Sequence, residues 1–142
     1  MRNIVYNEDC KETLNRISDK SIDGIITSPP YNICSKRKDC YYNNGYSDID
    51  GLTEEEYLEV RTSEFKEFSR VIVDKGVICY NISYSKDNPI LPTLLVSKVH
   101  NETDLTVADI ISWKKSNAIP FQTSSTKLSR LVELIYIFVK KD

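Results

Sequence analysis

Four consecutive residues, Ser28-Pro29-Pro30-Tyr31, are of types that could do chemistry together. They follow the run Ile22-Asp23-Gly24-Ile25-Ile26-Thr27, which reads as a buried strand leaving its sheet. Each proline fixes φ near about −65° and restricts the residue before it, so the path is stiff and the Pro29 carbonyl is held in place. A proline has no N–H, so this edge offers acceptors without a competing donor. The Ser28 hydroxyl and the Pro29 carbonyl form a rigid pair of acceptors suited to a planar amine with two hydrogens. Tyr31 adds a flat face on which a planar ring could stack. Together these parts would hold the exocyclic amino group of a nucleobase. The plainer reading of the same residues is an ordinary Pro-Pro exit from a strand.

The remaining elements must position that exit. Asn3–Tyr6 reads as a short strand, and Asp9 as the N-cap of a helix over Cys10–Ile17. A polar turn, Ser18–Ser21, leads into the strand before Ser28. Residues 32–52 form a long polar loop, a length that is usually functional or disordered. Thr53 with Glu56 three residues on is a capping box, and it starts a helix reaching roughly Arg70 with Leu58, Phe65, Phe68 and Ile72 on one stripe. The glutamates at 54–56 suit the positive helix end. Asp74-Lys75-Gly76 reads as a turn and Val77–Ile82 as a second buried strand. A helix begins near Pro89 or Pro92 and carries Leu94, Leu95, Val96 and Val99. A third strand covers about Leu105–Trp113. Lys114-Lys115 leave it, and a loop through Pro120 and Phe121 leads to a last strand, Leu131–Val139. Trp113 covers a core edge or flanks the substrate loop. Strands alternating with helices imply an α/β fold with a largely parallel sheet and helices on its faces. The direction of the last strand stays open.

A length of 142 residues fits one compact region, 1–142, and a net charge of −2 gives no support for strong phosphate binding by the whole surface. A nucleic-acid surface would have to be local. The loop offers one candidate in Lys36-Arg37-Lys38 with Tyr41, Tyr42 and Tyr46 nearby. Cys10, Cys34, Cys40 and Cys79 lack zinc spacing and read as free thiols of a cytoplasmic protein. No apolar run approaches the ~18 residues of a membrane span.

The stretch Asp23–Asn32, with the tetrad inside it, resembles the catalytic motif of the amino-group DNA methyltransferases, which methylate cytosine N4 or adenine N6 with S-adenosylmethionine. Arg70–Val73 leading through Gly76 to a strand resembles later blocks of that family. So do Trp113-Lys114-Lys115 and the strand holding Glu133, and the likeness runs from Ile4 to Lys141. It implies a Rossmann-like sheet, S-adenosylmethionine as cofactor and DNA as partner, with the target base rotated out of the duplex. Ser28, Pro29, Pro30 and Tyr31 become the catalytic set, and Asp9, just after a strand, becomes a cofactor contact as well as a cap. Serine at the head of the tetrad resembles the cytosine-N4 group, with adenine N6 the alternative, and the family likeness implies a restriction–modification setting. Glycines stand only at 24, 45, 51 and 76, so the family's glycine-rich cofactor turn is not among these residues. The order of blocks matches the permuted branch, in which the catalytic half comes first. The expectation is therefore an incomplete fold lacking its cofactor-binding half. That means a fragment, one half of a split enzyme completed by a second chain, or a remnant without catalysis.

Overall fold

A computed structural model of the chain describes residues 3–32, 51–84, 88–116 and 131–142. The expectations for the basic loop at 36–46 and for Pro120 and Phe121 lie outside these residues.

Helix α1 covers Cys10–Arg16, and Asp9 caps it by accepting the Lys11 N–H at 2.8 Å. Its other end is closed by a residue distant in sequence. Arg70 donates to the Leu14 carbonyl at 2.8 Å and to the Ile17 carbonyl at 2.9 Å, and also pairs with Asp19 and Glu67. The last carbonyls of a helix have no partner within it, so a forked cation satisfies them well. The short strand expected at Asn3–Tyr6 does not form. Val5 is 96% exposed, and no described strand pairs with this stretch. β-branched residues favour a strand only where a ladder and a covered face receive them.

Strand β1 is Ile22–Thr27, helix α2 is Glu54–Val71 and strand β2 is Ile72–Ile82. The capping box forms as expected, with Glu56 N–H to Thr53 Oγ1 at 3.2 Å and Thr53 N–H to Glu56 Oε2 at 2.9 Å. The helix then passes straight into β2. Ile72, expected on the helical stripe, is the first strand residue. Asp74-Lys75-Gly76 is likewise not a free turn but lies inside β2. Ile22 faces Ile72 and Gly24 faces Val77, so the extra residues bulge out of the ladder between those pairs. Gly76 is needed there, because a Cβ would come within 3.0 Å of the Asp23 carbonyl and run into the Ile72 side chain.

Helix α3 (Leu91–Glu102), strand β3 (Leu105–Lys114) and strand β4 (Val132–Lys140) complete the order. The sheet runs β1-β2-β4-β3. β1 and β2 are parallel, and β4 is antiparallel to both of its neighbours, which settles the direction of the last strand. Ile78, Tyr80, Tyr136 and Phe138 point to the covered face, where the Phe65 ring of α2 sits 4.6 Å from Tyr80 and 4.8 Å from Phe138. Leu95 and Val99 of α3 and Leu14 of α1 extend the same core. Helices were expected on both faces, but among the described residues they form a single layer. On the other face Ile26 is 88% exposed, and Ile111 and Trp113 are about half exposed at 50% and 51%. Trp113 therefore does not cover a core edge.

Candidate active site

The tetrad leaves β1 at the carboxyl edge of the sheet. Ser28 is exposed, Pro29 and Pro30 are half-buried, and Tyr31 is half-buried with its ring leaning on the core. Ser28 Oγ and Tyr31 Oη lie 2.6 Å apart. The Pro30 carbonyl accepts a hydrogen bond from the buried Tyr57 hydroxyl of α2 at 2.8 Å. A helix side chain thus fixes the kink that the prolines stiffen.

Asn32 closes the turn. Its φ of 57° lies in the left-handed region, which asparagine tolerates better than most residues. Its buried side chain donates to the Leu52 carbonyl at 2.8 Å and accepts the Gly51 N–H at 2.9 Å. One amide therefore ties the end of the tetrad to the start of α2.

Tyr31 is also held from the sheet. Asn81, near the end of β2, donates through Nδ2 to Tyr31 Oη at 3.0 Å and to Glu133 Oε2 at 3.1 Å. Lys115, just past β3, forms an ion pair with the other oxygen of Glu133. Because β4 is antiparallel, its first residues meet the last residues of β2 and β3 at this edge. Burial pushes the Tyr31 phenol above its usual range, the Ser28 contact pulling the other way, so the ring keeps its proton at neutral pH.

The four tetrad residues are therefore brought together, with the Ser28 oxygen on the surface and not in the packed interior. Asp9 acts as the helix cap described above, and no hydrogen bond or ion pair among the described residues joins it to the tetrad. Residues that sequence reasoning did not assign to the site are Tyr57, Asn81, Glu133 and Lys115 in this role, and Asn32 as a clamp. Asn81 and Glu133 did leave a signal, since each is a polar residue inside an apolar strand. Their convergence depends on sheet order. A cleft of about 330 Å³ lies elsewhere, lined by Asp19, Lys20, Lys66, Arg70, Asp104 and Lys140. Lys20 precedes β1 while Ser28 follows it, so this cleft sits at the opposite end of the strand. Its cations are already paired, Lys20 and Lys140 with Asp74, and Arg70 with Asp19.

Comparison with known proteins gives the fold and the family of the chain that carries this turn. PvuII DNA methyltransferase (cytosine-N4-specific) superposes with a TM-score of 0.75 at 21% identity, over 96% of this chain and 48% of that one. The M1.HpyAVI–SAM complex superposes with a TM-score of 0.58 at 18% identity, over 96% and 53%. These likenesses establish the fold. In sequence, the type II methyltransferase M.BglII of Bacillus subtilis is 34% identical over 87 residues, which is 61% of this chain and 21% of that protein. The chain thus spans about half the length of those solved structures and a fifth of that relative. The family described as DNA methylase, of the N6/N4 type, matches residues 22–142. From β1 to its last residue, the chain belongs to the N6/N4 DNA methylase family.

Proposed function

We propose that this chain is the base-holding, catalytic region of an S-adenosylmethionine-dependent DNA methyltransferase, acting on the exocyclic amine of a base rotated out of DNA, with cytosine N4 as the target. The observation that carries the proposal is the exposed Ser28 oxygen held 2.6 Å from a locked Tyr31 hydroxyl at the carboxyl edge of the sheet. A base buried in a duplex must leave the stack to reach such an edge. Tyr31 lies against its ring. The Pro29 carbonyl and Ser28 Oγ take the amine hydrogens and aim the nitrogen lone pair outward. The rate comes from alignment and polarisation, and no cysteine serves as nucleophile.

S-adenosylmethionine, when bound, supplies an electrophilic methyl group. The residues present suit the amine side of that transfer, and Asp9 is the candidate contact on the cofactor side. The glycines do not make a Gly-x-Gly turn, so we assign the cradle for the cofactor to a glycine-rich half outside these residues, a second chain included. By sequence, Lys36-Arg37-Lys38 is the candidate phosphate contact in this reading. A restriction–modification setting and a cytoplasmic location belong to the same proposal. No helix among the described residues is long and apolar enough to cross a membrane.

The test is transfer of labelled methyl from S-adenosylmethionine to DNA, by the chain alone and with a co-expressed glycine-rich partner, followed by nucleoside analysis. Label in 4-methylcytosine, lost in Tyr31→Ala and Pro29→Ala, is the expected result. Label in 6-methyladenine selects the adenine alternative, since a serine oxygen and a carbonyl hold either amine. No transfer and no cofactor binding in any combination refutes the enzyme and leaves a remnant that keeps the fold.

A further inference from the structure

The hydrogen-bond contacts at the site have a direction that can be worked out. Lys115 pairs with Glu133, so this carboxylate faces Asn81 as an acceptor. Glu133 Oε2 lies 3.1 Å from the Asn81 amide, which must turn Nδ2 toward it, because Oδ1 in that place would set oxygen against a carboxylate. The cost of this orientation is visible, since Asn81 Oδ1 is buried with no hydrogen-bond partner among the described residues. A charge-assisted hydrogen bond outweighs a neutral one, which explains why the amide takes this orientation. The second Nδ2 hydrogen then points at Tyr31 Oη, 3.0 Å away. With an N–H on its oxygen, the phenol directs its own hydrogen to Ser28 Oγ at 2.6 Å. Ser28 has thereby accepted one hydrogen bond, and its own hydrogen is free to point out of the exposed turn.

We propose that Asn81, oriented by Glu133 and Lys115, is a positioning residue that turns the Ser28 hydroxyl into a donor toward the ring nitrogen beside the target amine. This rests on the base-holding reading above and adds the atom pattern that the site reads. Cytosine and adenine both carry an amine next to a ring nitrogen with an in-plane lone pair. The Pro29 carbonyl accepts from the amine while the Ser28 O–H donates to that nitrogen, and the remaining Ser28 lone pair stays available to the second amine hydrogen. Thymine offers a carbonyl beside an N–H, so its oxygen would oppose the Pro29 carbonyl. The site thus recognises an amidine edge, where a pair of acceptors alone would recognise any amine.

The experiment exchanges one atom of the ligand. The isotopically labelled chain is titrated with cytidine and with 3-deazacytidine, in which the ring nitrogen is replaced by C–H. Binding is followed on the Tyr31 ring resonance, assigned by its loss in Tyr31→Phe. Cytidine should bind about five- to tenfold more tightly, the worth of one neutral hydrogen bond. In Asn81→Leu and in Glu133→Gln, where the amide is no longer oriented, the ratio should fall toward one. A purely structural role for Asn81 would weaken both nucleosides equally and leave the ratio unchanged, which overturns the proposal. Equal affinity in the wild-type chain overturns it too, while the base-holding reading survives. If neither nucleoside binds, both readings fall. Should Asn81→Leu not fold, Glu133→Gln and the wild-type ratio still decide.

Discussion

Replacing Asn32 with alanine should lower the unfolding free energy by about 2–4 kcal/mol. The amide makes two hydrogen bonds in a buried setting, to the Leu52 carbonyl at 2.8 Å and from the Gly51 N–H at 2.9 Å. Each is worth about 0.5–1.5 kcal/mol net, with more lost if the partner is left without water. Alanine must also hold φ near 57°, and a left-handed conformation costs about 1–2 kcal/mol for an ordinary residue and less for asparagine. Glycine separates the contributions. Asn32→Gly loses the same two bonds but carries no left-handed penalty, so it should fall short of wild type by about 1–3 kcal/mol and remain more stable than Asn32→Ala. Aspartate keeps the acceptor for Gly51 but sets a carboxylate oxygen against the Leu52 carbonyl, so it should resemble alanine. The assay is urea unfolding followed by circular dichroism, with the midpoint compared at constant slope. In a chain of this size, each kcal/mol moves the thermal midpoint by about 3–5 °C. If Asn32→Ala lies within about 0.5 kcal/mol of wild type, the clamp contributes nothing. If glycine proves worse than alanine, the argument from backbone conformation is wrong.

Two further predictions concern the scaffold. Arg70→Met keeps much of the side-chain volume and removes two hydrogen bonds to the end of α1, so denaturation should report a lower unfolding midpoint. Most of the drop should come from the carbonyl bonds and little from the exposed ion pairs. Arg70→Lys should recover less than half, because one ammonium cannot span both carbonyls. At alkaline pH, burial raises the phenols of Tyr31, Tyr80 and Tyr136 above the usual value of about 10. The native chain therefore holds these protons longer than the unfolded chain. The corresponding stability is intact below about pH 10 and falls as the pH rises through the folded values. Tyr80 Oη is buried with no hydrogen-bond partner among the described residues, so Tyr80→Phe should raise stability at pH 7 by up to about 1 kcal/mol and flatten the alkaline decline. Calorimetry at pH 7 and at pH 10–11 checks both halves of that statement.

Much of this molecule was legible in short windows of sequence. The capping box at Thr53 and Glu56 and the cap at Asp9 depend on neighbours within a few residues, and each forms as local chemistry requires. The alternation of strands and helices gave the α/β class. The misreadings are equally specific. Asp74-Lys75-Gly76 carries turn residues, yet the chain continues through it as a strand, because the parallel partner β1 supplies ladder bonds on both sides of a bulge. Asn3–Tyr6 carries strand residues, yet pairs with nothing described. In both cases pairing with a distant segment, or its absence, overrode local preference.

The site divides along the same line. Sequence alone determined a stiff turn with a serine oxygen, a proline carbonyl and an aromatic ring, because proline geometry does not depend on the rest of the fold. Only the tertiary structure decided what holds that turn and how its hydrogens point. Asn81 lies 50 residues from Tyr31, and Glu133 lies 52 from Asn81. They meet because β4 runs antiparallel between β2 and β3, which brings the first turn of one strand against the last residues of two others. A hydrogen bond acts over about 3 Å, so its partners are set by sheet order, and sheet order is fixed by how the whole chain buries its apolar face.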